Sequence, residues 1–543
     1  LADAHVHDIH GDYDAPGVML NGRRVTLRSW HDTARSARAF NESGMAFDAA
    51  LDSIRARGIR HVVLLGDYTD DGQVETTDRL AARLHAASDL SFYAIPGNHD
   101  VFGPFGKHTA TRFRTETGTQ LVTSDPNLAA EERHAAVLSP KLRCMGQPLG
   151  LVPMAAFGLF RQPHYVHWES PFGLPDAVAD RQYEARSADG RTTRRLMDAS
   201  YLVEPEPGLW LLLIDANIFE PRDGDWNERQ KRAFLDPSSA GWTALLRVKP
   251  FLLPWIASVT ARAKAQGKSL LTLSHYPALD PYEDKANLER TLFGETEAAR
   301  RRPAPEVADA LTAAGVGIHF SGHIHCAGTA TVETQTGQLT NVAVPSLASW
   351  PPGFVIARAT PQAPAVEIVP LTPVPLDPAL IALYRAESDD SPEMLGAPDY
   401  TRFLLAQSRR RSIHRVLTRD WPRAIAVAVP SATALDLATL MEGAPTIAPD
   451  PARASTVAAR AARLGFDAGT LADYSMSDFV ADWYAVRQAG PLGQDALTPD
   501  RLAACRFLAG YGSATPQAHS PDAAFFARFL AILATSLARM DRG

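Results

Sequence analysis

The sequence predicts a layered α/β domain followed by a mostly α-helical region. Two observations carry the first half of that statement. Short apolar runs end abruptly in polar clusters, as in "HVVLLGDYTDDG" (61–72), "SFYAIPGNHD" (91–100), "LWLLLIDAN" (209–217), "SLLTLSHYP" (269–277) and "GVGIHFSGHIH" (315–325). Continuous apolar runs of this length suggest strands buried on both faces. Between them lie helical patterns such as "AFDAALDSIRARG" (46–58) and "LLPWIASVTARAKAQG" (252–267), and this alternation is the signature of an α/β layered domain. The third observation concerns the end of the chain. "PLTPVPLDP" (370–378) holds four prolines, and the signals beyond it are helical.

The elements follow in order. The chain opens with "DAHVHDIHGDYD" (3–14), three histidines and four aspartates in twelve positions. A buried strand is expected through Asp3. The chain begins only two residues earlier, from which we expect a processed or trimmed N-terminus and an extracytoplasmic, periplasmic-type setting. Residues 15–45 read as an insertion before the first full strand. Residues 101–207, rich in turn formers and aromatics, read as a second insertion near the mouth of the site. The predicted domains are 1–370 (α/β), a proline-rich linker at 371–379 and a helical region at 380–543. In the last, Thr498-Pro499-Asp500 and Ser520-Pro521-Asp522 read as helix caps followed by proline at the first helical position.

Composition narrows the function classes. The chain has 543 residues, 45% hydrophobic and 21% charged, with a net charge of −7, ordinary for a globular protein large enough for two domains. No basic block suggests nucleic acid as a bulk partner. No uninterrupted apolar run reaches about 18 residues, so no membrane span is predicted; "FFARFLAILATSLARM" (525–540) is broken by Arg528 and Arg539 and reads as a packed amphipathic helix. Cys144, Cys326 and Cys505 form no C-x-x-C, which leaves one disulfide open and excludes a disulfide framework or a cysteine-built zinc site.

The polar clusters at the strand ends carry the chemistry. They are Asp3-Ala-His5, Gly66-Asp67-Tyr-Thr-Asp70, Gly97-Asn98-His99-Asp100, His275, and Gly322-His323-Ile-His325. In α/β folds ligands bind beyond the carboxyl ends of strands. Oxygen and imidazole nitrogen without sulfur suit Mn, Fe or Zn. Residues i and i+2 of a strand share a face about 6.6 Å apart, so Asp3 with His5, and His323 with His325, are expected to present paired ligands. The glycines before Asp67, Asn98 and His323 permit tight turns.

This set resembles the calcineurin-like metallophosphoesterase family, whose pattern is D-x-H, G-D-x-x-D, G-N-H-[DE], a lone H, then G-H-x-H. The five blocks span 323 residues in the family's order. The resemblance implies a layered β-sandwich flanked by helices and two divalent or mixed-valence metal ions. By the family motif, Asp3, His5, Asp67 and His325 would hold one ion. Asp67, Asn98, His275 and His323 would hold the other, with Asp67 bridging. The implied activity is hydrolysis of a small-molecule phosphoester by in-line attack of a metal-bridging hydroxide. His99 would be the general acid and Asp70 the carboxylate that orients it. The clipped start and the likeness to large exported members imply an extracytoplasmic bacterial enzyme.

One departure bears on the substrate. The protein phosphatases of the superfamily read G-D-x-x-D-R-G, and the arginine position here is Asp71. An acid there disfavours a doubly charged monoester, so a phosphodiester is expected, with a phosphomonoester as the alternative. Two rivals belong to other classes. His5 and His7 also fit the H-x-H of amidohydrolase-type barrels, and a scaffold without catalysis would keep the metal and lose turnover. Among the remaining residues, His7 and His10 read as polar surround, and His319 as a satisfied core histidine. Cys326 reads as a packed small residue. Asp215 and Asn217 are expected to shape the site indirectly. Phe102, Phe105, Lys107 and His108 are expected at the pocket or in loop packing.

Overall fold

The computed structural model describes residues 1–543 except 133–134, 228–229, 284–285, 361–362, 372, 513–518 and 543. Position 372 of the expected linker therefore lies outside the described residues. The chain forms two compact units. The first comprises 1–281, 303–325 and 329–404; the second comprises 282–302, 326–328 and 405–543. The first unit thus runs on past the proline-rich segment, where Asp377 caps the helix Pro378–Glu387. Tyr384 of that helix reaches back to pack against Trp30, with ring centroids 4.9 Å apart and the planes tilted by 41°.

The apolar runs form strands because each can bury both faces. In the strand Leu209–Ile214, Leu211 and Leu213 point into one cluster with Leu65, Ile95, Leu271, Leu273 and Phe320. Trp210, Leu212 and Ile214 point into another, with Trp242, Leu245, Ile256, Val259 and Leu311. The alternation is the two-residue period of a strand. The second cluster is roofed by the helices Gly241–Val248, Leu252–Ala265 and Glu306–Ala313.

The main sheet has seven strands in the order Gly328–Glu333, Gln338–Ala343, Ile318–Ser321, Ser269–Ser274, Leu209–Ile214, Tyr201–Glu204, His167–Glu169. From Gln338–Ala343 to Leu209–Ile214 the neighbours are parallel, and the last two strands are antiparallel. On the other side of the first cluster, His61–Leu65 pairs in parallel with Ser91–Ile95, His61 opposite Ser91. Residues 1–3 run beside it: Leu65 N donates to Leu1 O at 2.8 Å and Asp3 N to Gly66 O at 3.1 Å. The result is a layered α/β unit followed by a largely helical C-terminal region, the predicted fold class.

Part of the second insertion is structural. His167–Glu169 and Tyr201–Glu204 belong to the main sheet; as runs of three and four residues they are too short to read as strands by pattern. The rest of that segment forms the hairpin Gln182–Arg186/Thr193–Met197 and a three-stranded sheet from Ala110–Thr115, Gly118–Thr123 and Ala136–Leu138.

In the second unit, Phe293 packs among Trp421, Trp483, Phe525 and Phe529. Arg487 pairs with Glu289 in its interior. The helices Pro499–Gly512 and Pro521–Asp541 begin at the prolines the sequence marks, and Ser520 Oγ accepts from Ala523 N. The helix Pro521–Asp541 is long and apolar enough to cross a membrane by length and composition, and 61% of its most apolar window is buried. All three cysteines are buried and none is in a disulfide. His319 is the satisfied core histidine expected: its ring bonds Ser274 Oγ at 2.9 Å and Asn341 Oδ1 at 2.8 Å. Burial lowers its pKa to about 4.

Candidate metal centre

The strands deliver their polar clusters to one end of the sheets. Leu65, Ile95, Ser274 and Ser321 each end a strand immediately before Gly66-Asp67, Pro96-Gly97-Asn98, His275 and Gly322-His323. Two groups result. Asp3, His5 and His325 each bring one ligand atom to a common point, as do Asp67, His275 and His323, with the atoms of each group within 4.8 Å of one another.

The backbone at these positions is unlike that expected. Asp3, His5, Asp67, His323 and His325 all lie in the left-handed region, with φ of 48°, 42°, 48°, 72° and 55°. The ligand pairs therefore do not converge by strand parity: Asp67, His323 and His325 follow the strands His61–Leu65 and Ile318–Ser321, while Asp3 and His5 lie in irregular backbone between isolated bridges at Ala2 and Val6 instead of in the expected strand. A non-glycine residue there costs roughly 1–3 kcal/mol, and five in one place mark a site the surroundings over-determine. Glycine is required where backbones close on the ligands: a Cβ on Gly97 would lie 2.2 Å from Asp67 Oδ1, and one on Gly322 2.4 Å from Asp3 Oδ2.

Hydrogen bonds fix which nitrogens face inward. His275 Nδ1 donates to Leu65 O at 2.7 Å, which turns Nε2 toward Asp67 Oδ2 at 3.3 Å. His323 Nε2 donates to Ser238 O at 2.9 Å, which turns Nδ1 toward His275 Nε2 at 3.2 Å. In the other group, Ser349 Oγ donates to Ala37 O at 2.7 Å and so accepts from His325 Nδ1 at 2.8 Å. His325 Nε2 then lies 3.2 Å from both His5 Nε2 and Asp3 Oδ1. Asp3 Oδ1 is buried and makes no hydrogen bond. Imidazole lone pairs and a carboxylate oxygen converging at such distances repel unless a cation lies among them, and backbone partners on the far nitrogens are the arrangement of metal-ligating histidines. The donor set fits two transition-metal ions.

Asp67 links the groups. Its Oδ1 accepts from His99 N at 2.7 Å, while Oδ2 lies 3.3 Å from His275 Nε2 and 4.0 Å from His5 Nε2. Burial opposes a charge on His275, but the Asp67 carboxylate outweighs it and raises the imidazole to about 9. His5 goes the other way, held well below its usual range by burial and by Arg38. Asp100, last of its motif, ties the two central loops together: it accepts from Gly97 N, Thr69 N and Thr69 Oγ1 at 2.7–2.9 Å. Asn98 sits between them and Tyr276, whose hydroxyl is 3.5 Å from Asn98 Oδ1. Asn217 braces the same loop by donating to Gly97 O at 3.0 Å. Asp215 behind it shares buried Lys249 with Asp198.

His99 lies at the rim of the first group, its ring 5.0 Å from that of His5. The carboxylate beside it is not the one expected. Asp70 meets His99 Nδ1 only through its carbonyl oxygen, at 3.1 Å, and the carboxylate at 3.0 Å is that of Asp71. Both Asp70 carboxylate oxygens are taken by arginines from the first insertion: Arg28 on Oδ2, and Arg38 on Oδ1 at 2.9 and 3.1 Å. Arg28 and Arg38 carry no spacing signal, and sequence reasoning missed them. Lys107 Nζ is 3.5 Å from Asp71 Oδ1. Burial opposes the charge on Asp71, but Lys107, His99 and Arg38 together hold its carboxyl well below the ordinary range.

The other candidates lie elsewhere. His7 is buried, its Nε2 3.0 Å from Thr26 O and its ring stacked on Tyr13; it joins neither group, against the barrel-type H-x-H reading. His10 is exposed. Phe102 is core, and His108 bonds Ser124 Oγ at 3.2 Å.

A family model matches part of the chain. Residues 5–134 match the family model described as calcineurin-like phosphoesterase. The match takes in His5 and the second and third motif blocks. No curated protein matches the chain. Among solved structures, a dimetal phosphatase from Danio rerio is similar at 14% identity, over 68% of this chain and 97% of that one, with a TM-score of 0.31.

Proposed function

We propose that the protein is a metal-dependent phosphoester hydrolase acting on phosphodiesters. The observation that carries this reading is the pair of buried ligand groups sharing Asp67 Oδ2, with His99 at their rim. Asp3, His5, Asp67 and His325 would hold one ion, and Asp67, Asn98, His275 and His323 the other. Such a pair supplies Lewis-acid charge for the phosphoryl oxygens and a water acidic enough to react near neutral pH.

The chain's own groups do the rest. Imidazoles locked by Leu65 O, Ser238 O and the Ser349 hydroxyl keep the ligands in place without reorganisation. Nδ1 of His99 faces Asp70 O and Asp71, so Nε2 is the nitrogen that hands a proton to the departing oxygen. The cations nearest His99 are already matched by acids, Arg38 by Asp70 and Lys107 by Asp71. Among the described residues a monoester's second charge finds no dedicated cation there, which favours the singly charged diester.

The test is hydrolysis of bis-p-nitrophenyl phosphate against p-nitrophenyl phosphate by metal-depleted protein refilled with Mn. Metal-dependent turnover with the diester ahead is expected. Monoester preference overturns the diester assignment, and stoichiometric metal binding with no turnover on either substrate favours a metal-binding scaffold.

A further inference from the structure

The geometry around His99 leaves one acid unexplained by the motif. The motif offers Asp70 as the partner of the general acid, yet its carboxylate is fully committed: Oδ1 accepts from Arg38 Nε and Nη2, and Oδ2 from Arg28. Turning it toward His99 would strand two guanidinium groups, one of them buried. Asp71 is differently placed. It is half-buried, its Oδ1 lies 3.0 Å from His99 Nδ1, and Lys107 Nζ approaches the same oxygen at 3.5 Å. Arg38 Nη2 is 3.5 Å from His99 Nδ1, but it already donates to Asp70 O and Oδ1, so it does not need the imidazole as an acceptor. His99 Nδ1 therefore carries hydrogen and donates toward Asp71 and Asp70 O.

We propose that Asp71, rather than Asp70, is the positioning residue that fixes the ring and tautomer of His99, and that Asp70 is an anchor for Arg28 and Arg38. This rests on the reading of His99 as general acid. In that step the P–O bond to the leaving group breaks and its electron pair goes to the leaving oxygen. The Nε2 proton of the His99 imidazolium passes to that oxygen, and the Nδ1 proton stays on the hydrogen bond to Asp71. Lys107 approaches the same Asp71 oxygen at 3.5 Å and keeps the carboxylate aimed.

The test separates proton donation from mere structure by varying the leaving group. A general acid matters most for a poor leaving group, so rates are compared on bis-p-nitrophenyl phosphate and on methyl phenyl phosphate. Wild type, H99A, D71N, D71E and D70N are assayed at full metal loading. H99A is expected to lose on the order of 100-fold more on the phenyl than on the nitrophenyl ester. D71N is expected to show the same selectivity, about 10-fold or more, with D71E recovering part of it. A uniform loss in D71N, or none, while H99A remains selective overturns the proposal alone. Selectivity in D70N but not D71N moves the role back to Asp70. An unselective H99A overturns the general-acid reading and the proposal with it. A second readout needs no turnover: the His99 ring in ¹⁵N spectra of the metal-free protein should move in D71N, and an unchanged Nδ1–H signal there counts against the assignment even if D70N fails to fold.

Discussion

At the scale of single residues, charge burial decides most outcomes. Glu42 is an instance away from the metal site. Its Oε1 accepts from Tyr384 OH at 2.7 Å, while Oε2 is buried without a hydrogen bond. Burial raises its carboxyl from 4.5 to about 7. The folded state therefore holds a proton that the unfolded state releases first, and stability falls as pH rises from about 4.5 to about 7. The difference corresponds to about 3 kcal/mol once the group is ionised. Glu42→Gln should leave stability at pH 4 nearly unchanged and raise it at pH 8, as read by urea unfolding; equal effects at both values would refute the account. For the ligands, His325→Ala and His323→Ala should each cost one bound ion, and Asp67→Ala both. Metal analysis of the purified variants checks this, and loss of both ions from His325→Ala would mean the two groups are not separable.

At the scale of elements, strands carry the stability and the turns after them carry the site. Leu213 is fully buried between the sheets, so Leu213→Ala should cost about 2–5 kcal/mol and leave metal stoichiometry intact at low temperature. Gly97→Ala is the opposite case. Its new methyl would meet Asp67 Oδ1 at 2.2 Å and Asp67 N at 2.5 Å, backbone that has no room to yield. It should cut metal binding more than tenfold while the far-ultraviolet circular dichroism stays that of the wild type.

At the scale of the whole molecule, the folding of each unit depends on segments distant in sequence. The second unit takes in residues 282–302 as well as 405–543; Phe293 packs against Trp421, Trp483 and Phe529, and buried Glu289 pairs with Arg487. A chain cut after Leu404 would leave Phe293 and Glu289 without those partners, so it should aggregate or bind apolar dyes; a monodisperse, stable product would show the segment to be dispensable. Metal binding couples to the fold in the same global way. Ions present at 1,000 times their dissociation constant add about 4 kcal/mol. Chelation should lower the melting temperature by several degrees, and Mn should restore it.

The amino-acid sequence by itself determined the alternation of buried strands and helices, the helix starts at Pro499 and Pro521, and the order of polar clusters at strand ends, because these are periodic or local signals. His5 with His325, and His275 with His323, were legible as residue types in motifs. How they converge was not, since left-handed turns replace strand parity. Arg28, Arg38 and the exchange of Asp70 for Asp71 beside His99 came only from the tertiary structure. Whether a carboxylate faces an imidazole or an arginine depends on which distant segment packs against it, and an insertion without periodicity gives no sign of where its arginines end. The extent of each compact unit was hidden for the same reason: residues 282–302 join the second unit through apolar and ionic partners more than a hundred positions away.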